Sequence, residues 1–286
     1  MTSYLPPSSE AGYYRPLSSV SISAASFLCW EACIMFEAEV DLIWSKPNRS
    51  FIKWIYLLTR YVGLGAFVGN PFTGVGGSHP ALSCREFLLY QVILAQTLIT
   101  LVQSILMLRV YALYNRDPRI KSIFVFLTVA GTITGGIGLS SVVQDSQFNI
   151  KCGISSLNSS LTSFRFAPIA VDGIILLLTI IKCIHTTHFT VQPAPIIRLM
   201  LRDGMVAFTA TVVAFVPTCI ALIVSNGQYV SMVAPCFTAV LSCLGCRLII
   251  NMQQLSSSPS HQTEPNFMTS LVDIDYQLTD IYPDVP

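Results

Sequence analysis

The stretch from Glu86 to Arg109, EFLLYQVILAQTLITLVQSILMLR, decides the fold class of this chain. Between its two terminal charged residues it holds 22 residues without a single Asp, Glu, Lys or Arg. At 1.5 Å per residue, a helix of that length spans about 33 Å, which matches the ~30 Å hydrocarbon core of a bilayer. The stretch therefore predicts a transmembrane helix.

Six further apolar segments accompany this stretch, and together they predict an all-α, polytopic membrane bundle of seven transmembrane helices. Hydrophobic residues make up 52% of the chain and charged residues 11%, whereas soluble domains carry ~25% charged residues. Helices are expected because unpaired backbone groups cannot face lipid, and no segment alternates like a barrel strand. Charges and glycines leave the first two segments open to a re-entrant or interfacial alternative. The predicted helices span 22–44, 52–70, 86–109, 122–143, 166–185, 199–224 and 229–250.

The basic residues predict the orientation of the bundle, because cytoplasmic loops carry an excess of Lys and Arg. With the N-terminus outside, eleven basic residues fall on the cytoplasmic side and four on the outer side, while Arg60 lies inside a helix. We therefore expect a polar extracellular N-terminus at 1–21, a seven-helix domain at 22–250 and a disordered cytoplasmic tail at 251–286. The cytoplasmic set is Lys46, Arg49, Lys53, Arg109, Arg116, Arg119, Lys121, Lys182, Arg198, Arg202 and Arg247, and the outer set is Arg15, Arg85, Lys151 and Arg165.

Ionisable residues at membrane depth are the first functional candidates, because each is costly unless it is paired or hydrated. Glu37 and Glu39 lie in the inner half of the first predicted helix, and Arg60 lies inside the second. Adjacent antiparallel helices would bring Glu37 or Glu39 to Arg60, either as a structural ion pair or for ligand or proton handling. Asp172, near the outer end of the fifth helix, could anchor an outward-opening pocket. The alternative is a carboxylate bonded to neighbouring hydroxyls or to Arg165.

The segment 108–114, LRVYALY, ends the third predicted helix with a cation and two aromatic residues. Anchoring at the inner membrane interface explains Arg109 and Tyr111. A receptor's cytoplasmic switch is the alternative, although no acidic residue directly precedes Arg109. Arg202 and Asp203, at the start of the sixth helix, place a carboxylate in the same layer, so a pair between Asp203 and Arg109 is a hypothesis.

Two cysteines and one glycosylation sequon belong to the predicted outer side. Cys84 and Cys152 would meet an oxidising exterior, which permits a disulfide between them. Two unpaired thiols are the alternative, because the distance and orientation of the two cysteines, which decide whether a disulfide can form, cannot be read from the sequence. The sequon that begins at Asn158 predicts a glycan in the outer loop, whereas the sequon at Asn48 falls on the inner side.

Several function classes receive no support from the residues. A net charge of +1 gives no field for nucleic acid, and neither a nucleophile elbow nor a phosphate-binding glycine loop is visible. We therefore expect no enzyme, no cofactor and no metal. The leading hypothesis is a receptor-like signal sensor in a lipid bilayer, with an unknown extracellular or membrane ligand and a cytoplasmic signalling partner. The alternative is a small-solute or ion transporter or channel. The plasma membrane is the expected location, or else another membrane of the secretory pathway.

Several ordered motifs run from Trp30 to Asn251. They are Phe36-x-x-Glu39-Val40-x-x-Ile43-Trp44, Lys53, Leu57-Leu58-Thr59-Arg60-Tyr61, Leu108-Arg109-Val110-Tyr111-Ala112-Leu113-Tyr114-x-Arg116, Asp172 with Thr179 and Lys182, Leu201-Arg202-Asp203-Gly204, and Arg247-Leu248-Ile249-Ile250-Asn251.

With these motifs the chain resembles a family of seven-helix integral membrane proteins of basidiomycete fungi. The family is classified as a domain of unknown function. It departs from the family pattern at Thr59, where asparagine is expected, and at Asn48, where tryptophan is expected. The resemblance implies the seven-helix architecture, a fungal origin and a joint role for Glu39 and Arg60. It implies neither a ligand nor a reaction.

Overall fold

The computed structural model describes residues 8–48, 50–68, 84–114, 117–145, 167–189, 195–224 and 230–257, and within these ranges the chain is all-helical. Seven α-helices and one π-helical turn are present there. They are α1 Ser8–Glu39, the π turn Val40–Trp44, α2 Phe51–Val68, α3 Cys84–Leu113, α4 Pro118–Asp145, α5 Ala167–Phe189, α6 Pro195–Val224 and α7 Val230–Ser257.

Among the described residues, five helices are long and apolar enough to cross a membrane. They indicate a multi-pass membrane protein, while α2 and α5 are not among the five. The five apolar stretches are Ser18–Trp44, which includes the π turn, Leu89–Leu113, Pro118–Ile137, Arg202–Ile220 and Val233–Gln254.

Most helices extend past the bounds predicted from hydropathy. The first begins at Ser8 rather than at residue 22, and the seventh ends at Ser257 rather than at residue 250. Hydropathy marks only the length that lies in hydrocarbon, whereas a helix continues where water or headgroups can solvate it. Parts of the predicted polar segments 1–21 and 251–286 are therefore helical, and residues 1–7 and 258–286 lie outside the described residues.

The starts of α2 and α4 follow from local capping. The Lys53 backbone N–H donates to Ser50 Oγ at 3.4 Å, and the Arg119 N–H donates to Asp117 Oδ1 at 3.0 Å. Each acceptor satisfies one of the unpaired N–H groups of a first turn. Pro118 then occupies the first helical position of α4, where its missing N–H is not needed.

The seventh helix lies at the centre of the bundle. It packs against α1, α2, α3 and α6. In an 18-residue part of its Val233–Gln254 stretch 61% of the residues are buried, against 11% in an 18-residue part of the Pro118–Ile137 stretch of α4. Leu98 and Leu241 belong to the shared core, whereas Phe126 on α4 is 71% exposed. An outer surface of such apolar side chains suits lipid rather than water.

Small residues bring α2 and α7 close together. Ser242 Oγ donates a hydrogen bond to the Thr59 carbonyl at 2.9 Å. A Cβ added at Gly63 would lie 2.6 Å from Ser242 Cβ, and one added at Gly245 would lie 2.6 Å from Thr59 Cγ2. A larger residue at either position would therefore force Ser242 or Thr59 to shift, which indicates close packing of α2 on α7.

Candidate functional site

Arg109 joins three helices near the end of α3. Its side chain is buried, and one Nη donates to the Leu248 carbonyl of α7. The other Nη lies 3.7 Å from Asp203 Oδ2 on α6. The pair between Asp203 and Arg109 that the sequence raised as a hypothesis is thus present as a geometric contact.

Asp203 connects the first part of α6 to the neighbouring helices. Its Oδ2 also lies 3.5 Å from Asn251 Nδ2 of α7, while its Oδ1 lies 3.7 Å from Arg202. Asp203 is buried, whereas the side chain of Arg202 is 69% exposed. All three contacts are long for charge-assisted bonds, which ordinarily measure about 2.7–2.9 Å.

The end of α3 also contacts α5. The Tyr114 hydroxyl donates to the Leu178 carbonyl at 3.0 Å, and Lys182 Nζ lies 5.1 Å from the Tyr114 ring centroid. Burial raises the pKa of the Tyr114 hydroxyl. Tyr111, one of the predicted switch residues, is half-buried and packs against the apolar core. The ends of α3, α5 and α7 and the start of α6 therefore form one polar layer, which we call the Arg109 layer and define by Arg109, Tyr114, Asp203 and Asn251.

Asp172 is buried beside a different partner from those expected. Its Oδ1 accepts a hydrogen bond from Gln103 Nε2 at 3.0 Å, and the same amide donates to the Pro168 carbonyl at 3.1 Å. Arg165, the expected partner, lies outside the described residues. Asp172 on α5 and Arg109 on α3 both line a cavity of about 20 Å³. The described contact of the Asp172 carboxylate is therefore with Gln103 of α3.

Arg60 meets Glu39 in a buried ion pair between α1 and α2. Tyr56 binds both ends of the pair, because Arg60 Nη1 donates to its hydroxyl at 2.7 Å and that hydroxyl donates to Glu39 Oε2 at 3.3 Å. A second guanidinium nitrogen donates to the Ala32 carbonyl at 2.8 Å. Glu37, the other predicted partner, is exposed, since it points to a different face of α1.

The π turn completes the surroundings of Glu39. Trp44 Nε1 donates to Glu39 Oε1 at 3.2 Å. The two residues are five apart, and the wider π turn stacks positions i and i+5, which an α-helix places on different sides. The turn therefore lets Trp44, the last residue of the first apolar stretch, reach a buried carboxylate.

A second ion pair ties α1 to α7, and the sequence did not predict it. Arg247 Nε and Nη2 bind the two oxygens of Glu31 at 2.5 and 3.0 Å. Glu31 is buried, whereas the Arg247 side chain is 50% exposed. The signal was present, because Glu31 is a carboxylate inside an apolar segment and must find a partner.

Other predicted site residues lie outside what the structure describes. These are Cys152, Asn158 and the side chain of Cys84. Among the cysteines with described side chains, Cys29, Cys33, Cys236, Cys243 and Cys246 are free thiols. Within the described ranges, no group of three or more His, Cys, Asp or Glu residues is arranged to hold a metal ion.

Part of the chain is similar to a known protein family. Residues 19–65 match the Family of unknown function (DUF6533). The similarity covers the apolar part of α1, the π turn and most of α2, and so it includes Glu31, Glu39 and Arg60. No curated protein and no solved structure matches the chain.

Proposed function

We propose that this chain is a receptor-like signal sensor of seven transmembrane helices, without enzymatic activity. Its N-terminus lies outside and its C-terminus in the cytoplasm, and the plasma membrane is its site of action. A ligand that binds from the outside or from the membrane shifts α6 relative to α3, and the shift opens a cytoplasmic surface for a signalling partner.

The observation that carries this proposal is the contact between Arg109 and Asp203. The start of α6 is bound to α3 and α7 through Asp203, and its contacts there measure 3.5–3.7 Å. The Glu31–Arg247 pair, by contrast, has both of its bonds at 3.0 Å or less. A small displacement of α6 would therefore break the Asp203 contacts and leave those of α1 and α7 intact.

Charge distribution supports the cytoplasmic location of the Arg109 layer. The starts of α4 and α6 carry Arg119, Lys121 and Arg202, and these belong to the same side as Arg109 in the alternation of helices. An excess of basic residues of this kind is typical of the cytoplasmic side. The layer would then lie where a cytoplasmic partner can reach it.

A transporter or channel is the second candidate, and the observation that favours it is the cavity beside Asp172. Asp172, Arg60 and Glu39 would be polar steps along a path. The cavity measures about 20 Å³, however, which is room for about one water molecule. Saturable flux of a solute into proteoliposomes would favour this candidate over the sensor.

The proposed movement is tested by removing the Asp203 charge. Spin labels are placed at exposed positions on α4 and α6, Lys121 and Met205, by a noncanonical amino acid, because the chain has native cysteines. Asp203→Asn is expected to increase the population with a longer label distance by about tenfold, which corresponds to about 1.4 kcal/mol. Double electron–electron resonance in nanodiscs measures that population.

Arg202→Gln is the matched control, because it removes an exposed cation at the same distance from the same carboxylate. Exposed ion pairs contribute little, so its distance distribution should equal that of the unsubstituted protein. If Asp203→Asn leaves the distribution unchanged, or if both variants change it equally, the Arg109–Asp203 contact does not control α6 and the proposal fails.

A further inference from the structure

One residue that lines the cavity between α3, α5 and α6, Arg109, carries an unsatisfied donor within the described part of the chain. Arg109 lines the cavity and is only 5% exposed. Its two Nη atoms contact Leu248 and Asp203, but within the described part of the chain no acceptor lies within hydrogen-bonding distance of Arg109 Nε. A buried N–H without a partner is costly, and buried polar groups that lack a protein partner ordinarily bind water.

The opposite wall offers acceptors. Asp172, 4% exposed, also lines the cavity, and its carboxylate accepts one hydrogen bond from Gln103 although a carboxylate has about four acceptor positions. Thr179 lines the cavity as well, and its hydroxyl donates to the Ile175 carbonyl at 2.8 Å. That hydroxyl oxygen keeps its lone pairs, so it can accept a further bond.

The volume of the cavity and the charged residues that line it indicate which kind of ligand fits. Its volume of about 20 Å³ exceeds the ~10–15 Å³ that one water molecule requires, so the cavity can hold one. A cation would lie beside the Arg109 guanidinium, and an anion would lie beside the Asp172 carboxylate. A neutral molecule that both accepts and donates hydrogen bonds matches the two walls.

We propose that one ordered water molecule occupies this cavity, where it accepts a hydrogen bond from Arg109 Nε and donates one to the Asp172 carboxylate. Arg109 would then be shared by two carboxylates, Asp203 on α6 by direct contact and Asp172 on α5 through the water. The water site thus joins α5 to the Arg109 layer. It rests on the cavity and the unpaired donor, and it stands whether or not the sensor proposal holds.

A density map of the protein from crystals grown in a lipidic mesophase tests the site directly, at a resolution that shows ordered water. The expected result is a peak within about 3.2 Å of both Arg109 Nε and an Asp172 carboxylate oxygen. An empty cavity, a peak that contacts only one of the two groups, or a direct bond between Arg109 and Asp172 would overturn the proposal.

A pair of glycine substitutions gives an independent test in solution. Gly204 lines the cavity and Gly173 does not, while a Cβ added at either position meets no atom within 4 Å. Both alanines gain the same helix propensity, but only Gly204→Ala takes space from the water. The melting temperature of Gly204→Ala should therefore lie about 2–4 °C below that of Gly173→Ala. Equal melting temperatures for the two variants would contradict a water in the cavity.

Sodium distinguishes a water from a bound cation. Replacing sodium chloride by choline chloride at equal ionic strength should leave the melting temperature of the unsubstituted protein unchanged. A rise that is specific to sodium and that is lost in Asp172→Asn would show a cation beside Asp172, and it would overturn the water.

Discussion

Arg60 is held by three groups of α1 and α2: the Glu39 carboxylate, the Tyr56 hydroxyl and the Ala32 carbonyl. A buried guanidinium is costly in isolation, and these acceptors replace the water that it would lose. The same logic applies to Glu31, which Arg247 binds through both carboxylate oxygens. Charges inside this bundle therefore act as links between helices.

The contribution of the Glu39–Arg60 ion pair to stability can be measured by removing one of its charges. Glu39→Gln leaves the buried Arg60 charge without its carboxylate, and we expect a loss of about 3 kcal/mol in the free energy of unfolding. Glu37→Gln is the matched control, because it makes the same change on the exposed side of the same helix and should not lower stability. Thermal or denaturant unfolding in nanodiscs measures both.

The outcome that would contradict this account is a similar loss for both variants, since the loss would then reflect helix chemistry rather than the buried pair. A sequence argument could not have chosen between the two glutamates. They are two residues apart and lie at nearly the same depth, and only the packing of α1 on α2 decides which one faces Arg60.

The sequence suggested the carboxylate contacts of Arg60 and Arg109, but it suggested neither Gln103 as the partner of Asp172 nor Arg247 as the partner of Glu31. Arg109 and Asp203 were paired because two opposite charges lay in one layer. Gln103 was missed as the partner of Asp172, because a neutral amide in an apolar helix carries no comparable requirement to be paired. Arg247 was counted only as a cytoplasmic cation, although the long Arg side chain can reach a deeper carboxylate.

At the scale of helices, hydropathy predicted seven segments, and seven α-helices occur within the described residues. The hydropathy pattern predicts the order of the helices along the chain, but it does not predict the residues at which each helix begins and ends. The π turn Val40–Trp44 was missed, because its residues read as continuous apolar helix and the extra residue per turn has no marker in the sequence.

The close approach of α2 and α7 gives a prediction at this scale. Gly63→Ala places a Cβ against Ser242 and disturbs the hydrogen bond from Ser242 to Thr59, so we expect a loss of about 1–3 kcal/mol. Gly65→Ala, two residues further on the same helix, meets no atom within 4 Å and should be neutral or stabilising by up to about 1 kcal/mol.

The free energies of unfolding of the two glycine variants are compared in the same lipid. The comparison shows whether Gly63 acts through close packing against α7 or only through the backbone entropy of glycine. If both alanines change stability by the same amount and in the same direction, the approach of α2 to α7 at Ser242 is not tight, and the assigned role of Gly63 is wrong. Hydropathy alone could not have separated the two glycines, because both lie in one apolar segment.

At the scale of the whole molecule, the arrangement of helices around α7 was not available from the sequence. Each apolar segment predicts a transmembrane helix, but its hydropathy does not indicate which helix lies at the centre of the bundle. The difference between α7 and α4 follows from side chains: α7 offers Ser242, Gly245 and Thr238 for close contacts, whereas α4 presents exposed residues such as Phe126. Small and polar residues favour helix contacts in membranes, where apolar packing alone gives little preference over lipid.

Orientation is the premise on which the cytoplasmic role of the Arg109 layer depends, and glycosylation mapping in microsomes tests it most directly. Reporter sequons are added at the N- and C-termini, and the protein is compared with Asn158→Gln and Asn48→Gln. Our account predicts a glycan on the N-terminal reporter, loss of the native glycan only with Asn158→Gln, and an unmodified C-terminal reporter. A glycan on the C-terminal reporter, or one lost with Asn48→Gln, would reverse the bundle and contradict the proposed sensor.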